Sequence, residues 1–243
     1  MGIRADLSFA TIHGMFSTSL KHAQIRDEAS KCGFHIHDKS FEHDRRNPEI
    51  RDYADNKRQV IDHLNSIPRK HLVLCGHSKG GLLVQDIKDE DLDGKEIIGR
   101  VLVNSAAPRG INPVRNWTQR ACILTQLPQL LTGTVKPPAF FAKRLLYNAH
   151  DSLGLEYDPS TLIPEPVPVF LDVAHYRVPV TSKPNVRVIG ASEDMITPPV
   201  VQEEIARYHD APPPKICAGH DHGSVFKVKE AMEIIMASVL ELV

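Results

Sequence analysis

Ser78 stands in Gly76-His77-Ser78-Lys79-Gly80, between the apolar run HLVLCG and the apolar stretch GLLVQ. A serine flanked at both second neighbours by glycine fits a strained strand-to-helix turn, in which bulkier residues at those positions would clash. Such a turn lifts the hydroxyl above a sheet edge and sets it at a helix N-terminus, where developing negative charge is favoured. The pattern GxxxxGK[ST] of a phosphate loop is absent, and a plain serine cap leaves the glycine pair unexplained. A serine hydroxyl attacks only when a base takes its proton and a carboxylate orients that base. Two later segments offer these groups: NVRVIGASEDMITPP carries Glu193 and Asp194, and KICAGHDHGS carries His220 and His222. The chain order is then serine, acid, histidine.

The other histidines are weighed against metal. His35, His37 and His43, and the pair His220 and His222, place imidazoles on one side of a strand, but a catalytic zinc needs three ligands and an open position. Neither a metal nor another cofactor is expected. His13 and His77 adjoin glycines in turns and read as hydrogen-bonding scaffold, within reach of a substrate.

The elements that must position these groups alternate. Strands are expected at 7–14, 34–41, 71–76, 96–108, 185–192 and 214–219. Helices are expected at 16–33, 49–67, from Lys79 onward, at 200–209 and at the C-terminus. The alternating strand at 34–41 reads as lying near a sheet edge. This rhythm implies an α/β chain with a mostly parallel twisted sheet covered by helices on both faces. Residues 110–181 break the rhythm, with many prolines and the large apolar residues Trp117, Phe140 and Phe141 among others. They read as two or three short helices forming a lid over an apolar pocket, which divides the chain into a core (1–109 and 182–243) and a cap (110–181).

Four segments, IHGMF, GHSKGG, ASEDMITPP and AGHDHGS, resemble the α/β-hydrolase superfamily, and the likeness spans nearly the whole chain. It begins late, with the opening antiparallel hairpin missing or much reduced. The resemblance implies an α/β-hydrolase fold with a helical lid insertion. It implies Ser78 as nucleophile, Asp194 as acid, and His220, the histidine of the Gly-His pair, as base. Glu193 is the rival acid and His222 the rival base. The oxyanion hole would come from the backbone N–H groups of Met15 and Lys79. Lys79 departs from the apolar residue common there; its ammonium either meets an acidic substrate group or points to solvent. Substrate contacts are expected from His13, Phe16, His77, Trp117, Phe140, Phe141 and His222.

The expected activity is hydrolysis of an ester or thioester of a hydrophobic small molecule through an acyl-enzyme. A lyase or cyclase using the same serine and histidine, and a ligand-binding protein without turnover, are the alternatives, since a fold does not set its reaction. With 29 basic and 30 acidic residues in 243, the net charge of −1 gives no reason to expect nucleic acid as a partner. No window has the roughly 18 apolar residues of a membrane span. The first residues do not read as a secretory signal, and with four scattered cysteines a reduced cytoplasmic setting is expected.

Overall fold

The apolar runs form β1 (Leu7–Ile12), β2 (His35–Asp38), β3 (His71–His77), β4 (Glu96–Val103), β7 (Val186–Ala191) and β8 (Lys215–Cys217). In the computed structural model, which describes residues 7–40, 52–174 and 177–243, they make one sheet in the order β2-β1-β3-β4-β7-β8. Every pairing in it is parallel. His43 and the expected helix start at 49–51 lie outside the described residues.

Alternate strand residues divide between two cores, as a strand with both faces covered requires. Leu72 and Leu74 of β3 face α2 (Tyr53–Ser66), α3 (Lys79–Asp86) and α7 (Pro199–Tyr208), packing with Val60, Leu64, Leu82 and Ile205. Val73 and Cys75 face the other way, toward α1 (Ala23–Lys31) and α8 (Lys229–Leu240), packing with Ile25, Ala29, Ile235 and Val239. β2, with exposed and half-buried residues, is the sheet edge.

The helix expected over 16–33 starts later. Phe16 has φ 57°, a left-handed backbone that no helix propagates. Thr18 then accepts a hydrogen bond from Leu20 N at 3.2 Å and caps a 3-10 turn, Ser19–His22, that leads into α1. α2 begins on Asp52, whose carboxylate accepts from Asp55 N at 2.8 Å.

Between β4 and β7 lie α4 (Trp117–Gln126), α5 (Ala139–Leu146), α6 (Val167–Ala174) and the two-stranded antiparallel pair β5 (Thr134–Val135) and β6 (Glu165–Pro166). Phe16, Val135, Ala142, Tyr147, Leu162 and Phe170 form a small core of their own there. Val169 and Val173 of α6 also enter the main core beside α2. The segment is thus anchored to the sheet through α6 and rests on the loop that follows β1.

Candidate active site

The chain runs from β1 outward to β2 and then back past β1 to β3, so the loops after β1 and β3 leave neighbouring strands at a topological switch point. Ligands of open parallel sheets bind in such crevices. Ser78 follows β3 and has φ 53° and ψ −120°, a strained conformation for a residue with a Cβ. The turn is pinned by three backbone hydrogen bonds: Ser78 N donates to Val103 O (3.1 Å), and Ser78 O accepts from Leu82 N (3.2 Å) and Ala106 N (2.9 Å). The two glycines serve close approach. A Cβ on Gly76 would collide with Gly80 O, and one on Gly80 with Ile12 O at the end of β1. From the neighbouring loop Gly14 comes so near that a Cβ there would lie 2.8 Å from Ser78 Cβ.

Asp194 is 2% exposed, in the turn after β7. Its Oδ1 accepts from the N–H groups of Ile196 (2.7 Å) and Thr197 (2.8 Å), and its Oδ2 accepts from Thr197 Oγ1 (2.9 Å). Four acceptor directions hold a carboxylate firmly, and the fourth contact is His222 Nδ1, 2.7 Å from Oδ2. The acid therefore meets His222 and not His220, which corrects the pairing expected from the Gly-His match. Gly219 turns with φ 73°. His220 then gives its backbone O to Glu193 N (2.9 Å), while its ring faces Ser224 Oγ at 3.4 Å. Two more residues bring the chain back over Asp194. Glu193 is exposed in the turn.

His222 is held from behind as well. His77 Nε2–H donates to His222 O at 2.9 Å, and Asn104 Nδ2, on a residue with φ 43°, donates to the same oxygen at 3.4 Å. Burial, then the neighbouring His222 and His22, hold the His77 pKa well below the ordinary histidine range, so His77 is a neutral donor. Ser78, His77 and His222 line one cavity together with Met15, Phe16 and Phe141.

The sequence pattern of the Alpha/beta hydrolase family matches residues 12–232. The chain belongs to the alpha/beta hydrolase family. No curated protein sequence matches it. Its fold is similar to a methylesterase from Arabidopsis (17% identity, TM-score 0.65, 98% of this chain and 100% of that one covered). An extracellular alpha/beta-hydrolase from a Paenibacillus species is also similar (16%, TM-score 0.69, 97% and 98%). So is tomato methylketone synthase I (15%, TM-score 0.68, 99% and 100%).

Other expected contacts of this alpha/beta hydrolase divide. Trp117 (73% exposed) and Phe140 (68% exposed) face away from the cavity, because α4 turns Gln119, Cys122 and Gln126 inward and α5 turns Ala142 and Leu145 inward. His13 is buried but does not line the cavity; its Nδ1 lies 2.9 Å from Gly14 O, and burial, aided by Lys79, lowers its pKa to about 3. Lys79 neither faces a ligand nor reaches solvent. Its fully buried Nζ donates to both oxygens of Glu165 in β6, at 2.9 and 3.2 Å, and Glu165 Oε1 also accepts from Phe16 N at 3.2 Å. One carboxylate thus ties the elbow helix, the loop after β1 and the inserted segment together.

Four residues in and around the site escaped the sequence reading. Glu165 is a lone acid in the apolar run LIPEPVPVF, a signal available but ambiguous. Asp221, between the two histidines, accepts from His150 Nδ1 (2.9 Å) and from the N–H groups of Ala149 (2.7 Å) and Ser224 (2.8 Å), fastening the histidine loop to the insertion. Lys21 and His22 line the cavity, and nothing in SLKHAQ marks them. Among the described residues no cluster of three or more His, Cys, Asp or Glu is arranged to hold a metal ion.

Proposed function

We propose that this family member is a serine hydrolase that cleaves an ester or thioester of a hydrophobic small molecule, with Ser78 as nucleophile, His222 as base and Asp194 as its orienting acid. One observation carries the reading: the strained Ser78 shares a cavity with a histidine whose Nδ1 is 2.7 Å from a buried carboxylate. With Nδ1–H held by Asp194, His222 presents Nε2 as the proton acceptor. Ser78 Oγ attacks the acyl carbonyl as its proton passes to Nε2. The tetrahedral oxyanion is received by the N–H groups of Met15 and Lys79, the first on the loop that Gly14 brings against Ser78. The imidazolium returns the proton to the departing alkoxide or thiolate, leaving an acyl-serine. Water, deprotonated by the same nitrogen, then releases the acid.

The cavity walls, largely apolar and drawn partly from residues 110–181, favour a hydrophobic substrate part and cast that segment as a cap. A lyase or cyclase would use the same serine and histidine; the ammonium of Lys79, bound to Glu165, is not free to hold an anionic intermediate for it. No helix of the described residues is long and apolar enough to cross a membrane. All four cysteines are unpaired, which suits a reducing compartment such as the cytoplasm.

The test is release of p-nitrophenol from acetate, butyrate and octanoate esters, beside fluorophosphonate labelling. Turnover and labelling that both vanish in Ser78→Ala support the hydrolase. Folded protein that neither turns over nor labels overturns it, and tight binding of an unaltered ligand would then mark the receptor-like alternative.

A further inference from the structure

Among the described residues the cavity is lined by no carboxylate, no arginine and one ammonium, that of Lys21. Its Nζ donates to Tyr147 Oη at 2.7 Å and lies 5.3 Å from the centre of that ring. An ammonium has three donors, and no carboxylate among the described residues pairs with this one. Beside it His22, 2% exposed and also lining the cavity, has an Nε2 with no hydrogen-bond partner among the described residues. A buried polar atom left unsatisfied costs free energy, so it calls for a partner.

These groups sit at the reacting end of the cavity. Tyr147 packs so tightly over Gly223 that a Cβ there would collide with the ring, and Gly223 follows His222 directly. The rings of His22 and His77 meet edge to face, 6.3 Å between centres, and His77 precedes Ser78.

We propose that Lys21 binds a carboxylate on the substrate, so that the natural ester or thioester is anionic, with the charge a few bonds from the bond that is cleaved. The inference rests on the hydrolase reading and adds the substrate's charge to it. A cation in apolar surroundings discriminates strongly, because a neutral analogue leaves it desolvated and unpaired. Burial and the neighbouring Lys227 lower the Lys21 pKa to about 8, a penalty that a bound carboxylate relieves.

The carboxylate belongs either to the acyl part or to the leaving group, and two matched pairs separate these. Monobutyl glutarate is compared with butyl pentanoate, and pentanoyloxyacetate with propyl pentanoate, by kcat/KM in wild type, Lys21→Met and Lys21→Arg. One anionic ester should exceed its neutral partner by about tenfold or more in wild type. That ratio should collapse in Lys21→Met and largely survive in Lys21→Arg. A wild type without preference for either anionic ester, or a preference that persists in Lys21→Met, overturns the proposal. If no ester is hydrolysed, the hydrolase reading fails separately, and binding decides: in Ser78→Ala protein, calorimetry should find pentanoate bound more tightly than pentanol, and the difference should vanish when Lys21→Met is added. Equal binding of the two overturns the carboxylate site.

Discussion

At the scale of single residues, the two histidines of the loop after β8 differ in what their backbones do. His220 supplies a carbonyl to Glu193 and turns its ring toward Ser224; His222 turns its ring to Asp194 and has its carbonyl held by His77. In the proposed hydrolase, replacing His222 by alanine should therefore lower kcat by about 10³-fold or more, since the base is lost. His220→Ala should cost less than about tenfold by the same measure. Asp194→Asn should fall near His222→Ala, because the amide favours the wrong tautomer. Steady-state rates on p-nitrophenyl butyrate decide this, and a larger loss in His220→Ala than in His222→Ala would reverse the assignment.

Elements meet at Glu165. β6 carries it within the inserted segment, α3 presents Lys79 to it and the loop after β1 presents Phe16 N. Glu165→Ala leaves a fully buried ammonium without its counter-charge and should destabilise the fold by about 3–5 kcal/mol in denaturant titration. Adding Lys79→Met removes the stranded charge and should recover much of that loss. A single variant as stable as wild type would mean that the pair contributes little. The elbow depends on a second close approach. Gly80→Ala drives a Cβ into Ile12 O, where the strand and helix both have to shift, and should cost about 1–3 kcal/mol or more.

For the molecule as a whole, buried histidines set how stability depends on pH. His22 and His209 are lowered to about 4, chiefly by burial, and His13 to about 3. His209 illustrates the cause in geometry: its Nδ1 accepts from Lys183 N at 3.1 Å and its Nε2–H donates to Gln85 Oε1 at 3.0 Å, a pattern only the neutral ring satisfies. Once unfolded, such rings take up protons near pH 6.5, while the native state resists until pH 3 or 4. The unfolded chain thus binds more protons in that window, so stability is full above about pH 6.5 and is lost as pH falls toward 4. Each ring contributes up to about 1.4 kcal/mol per pH unit. The unfolding free energy should therefore drop between pH 7 and pH 5, before the carboxylates titrate; a flat profile would mean that these rings are protonated in the native state.

Local chemistry made much of this legible from the chain alone. The strand positions, the Gly76–Gly80 elbow around Ser78 and the turn that holds Asp194 follow from short-range rules: which residues fit a buried strand, which turns demand glycine, which acids precede a proline-started helix. The edge position of β2 was readable in its alternation for the same reason. The pairing of Asp194 with His222 rather than His220 was not, because both lie in one tight turn and only the path after Gly219 determines which ring reaches back 28 residues to Asp194. Lys79 with Glu165, and Lys21 with Tyr147, are joined across 86 and 126 residues. Their pairing, like the outward turn of Trp117 and Phe140, was settled when the insertion packed against the loop after β1. Sequence spacing carries local geometry, whereas burial of a charge and the partner that offsets it exist only once distant segments exclude water from between them.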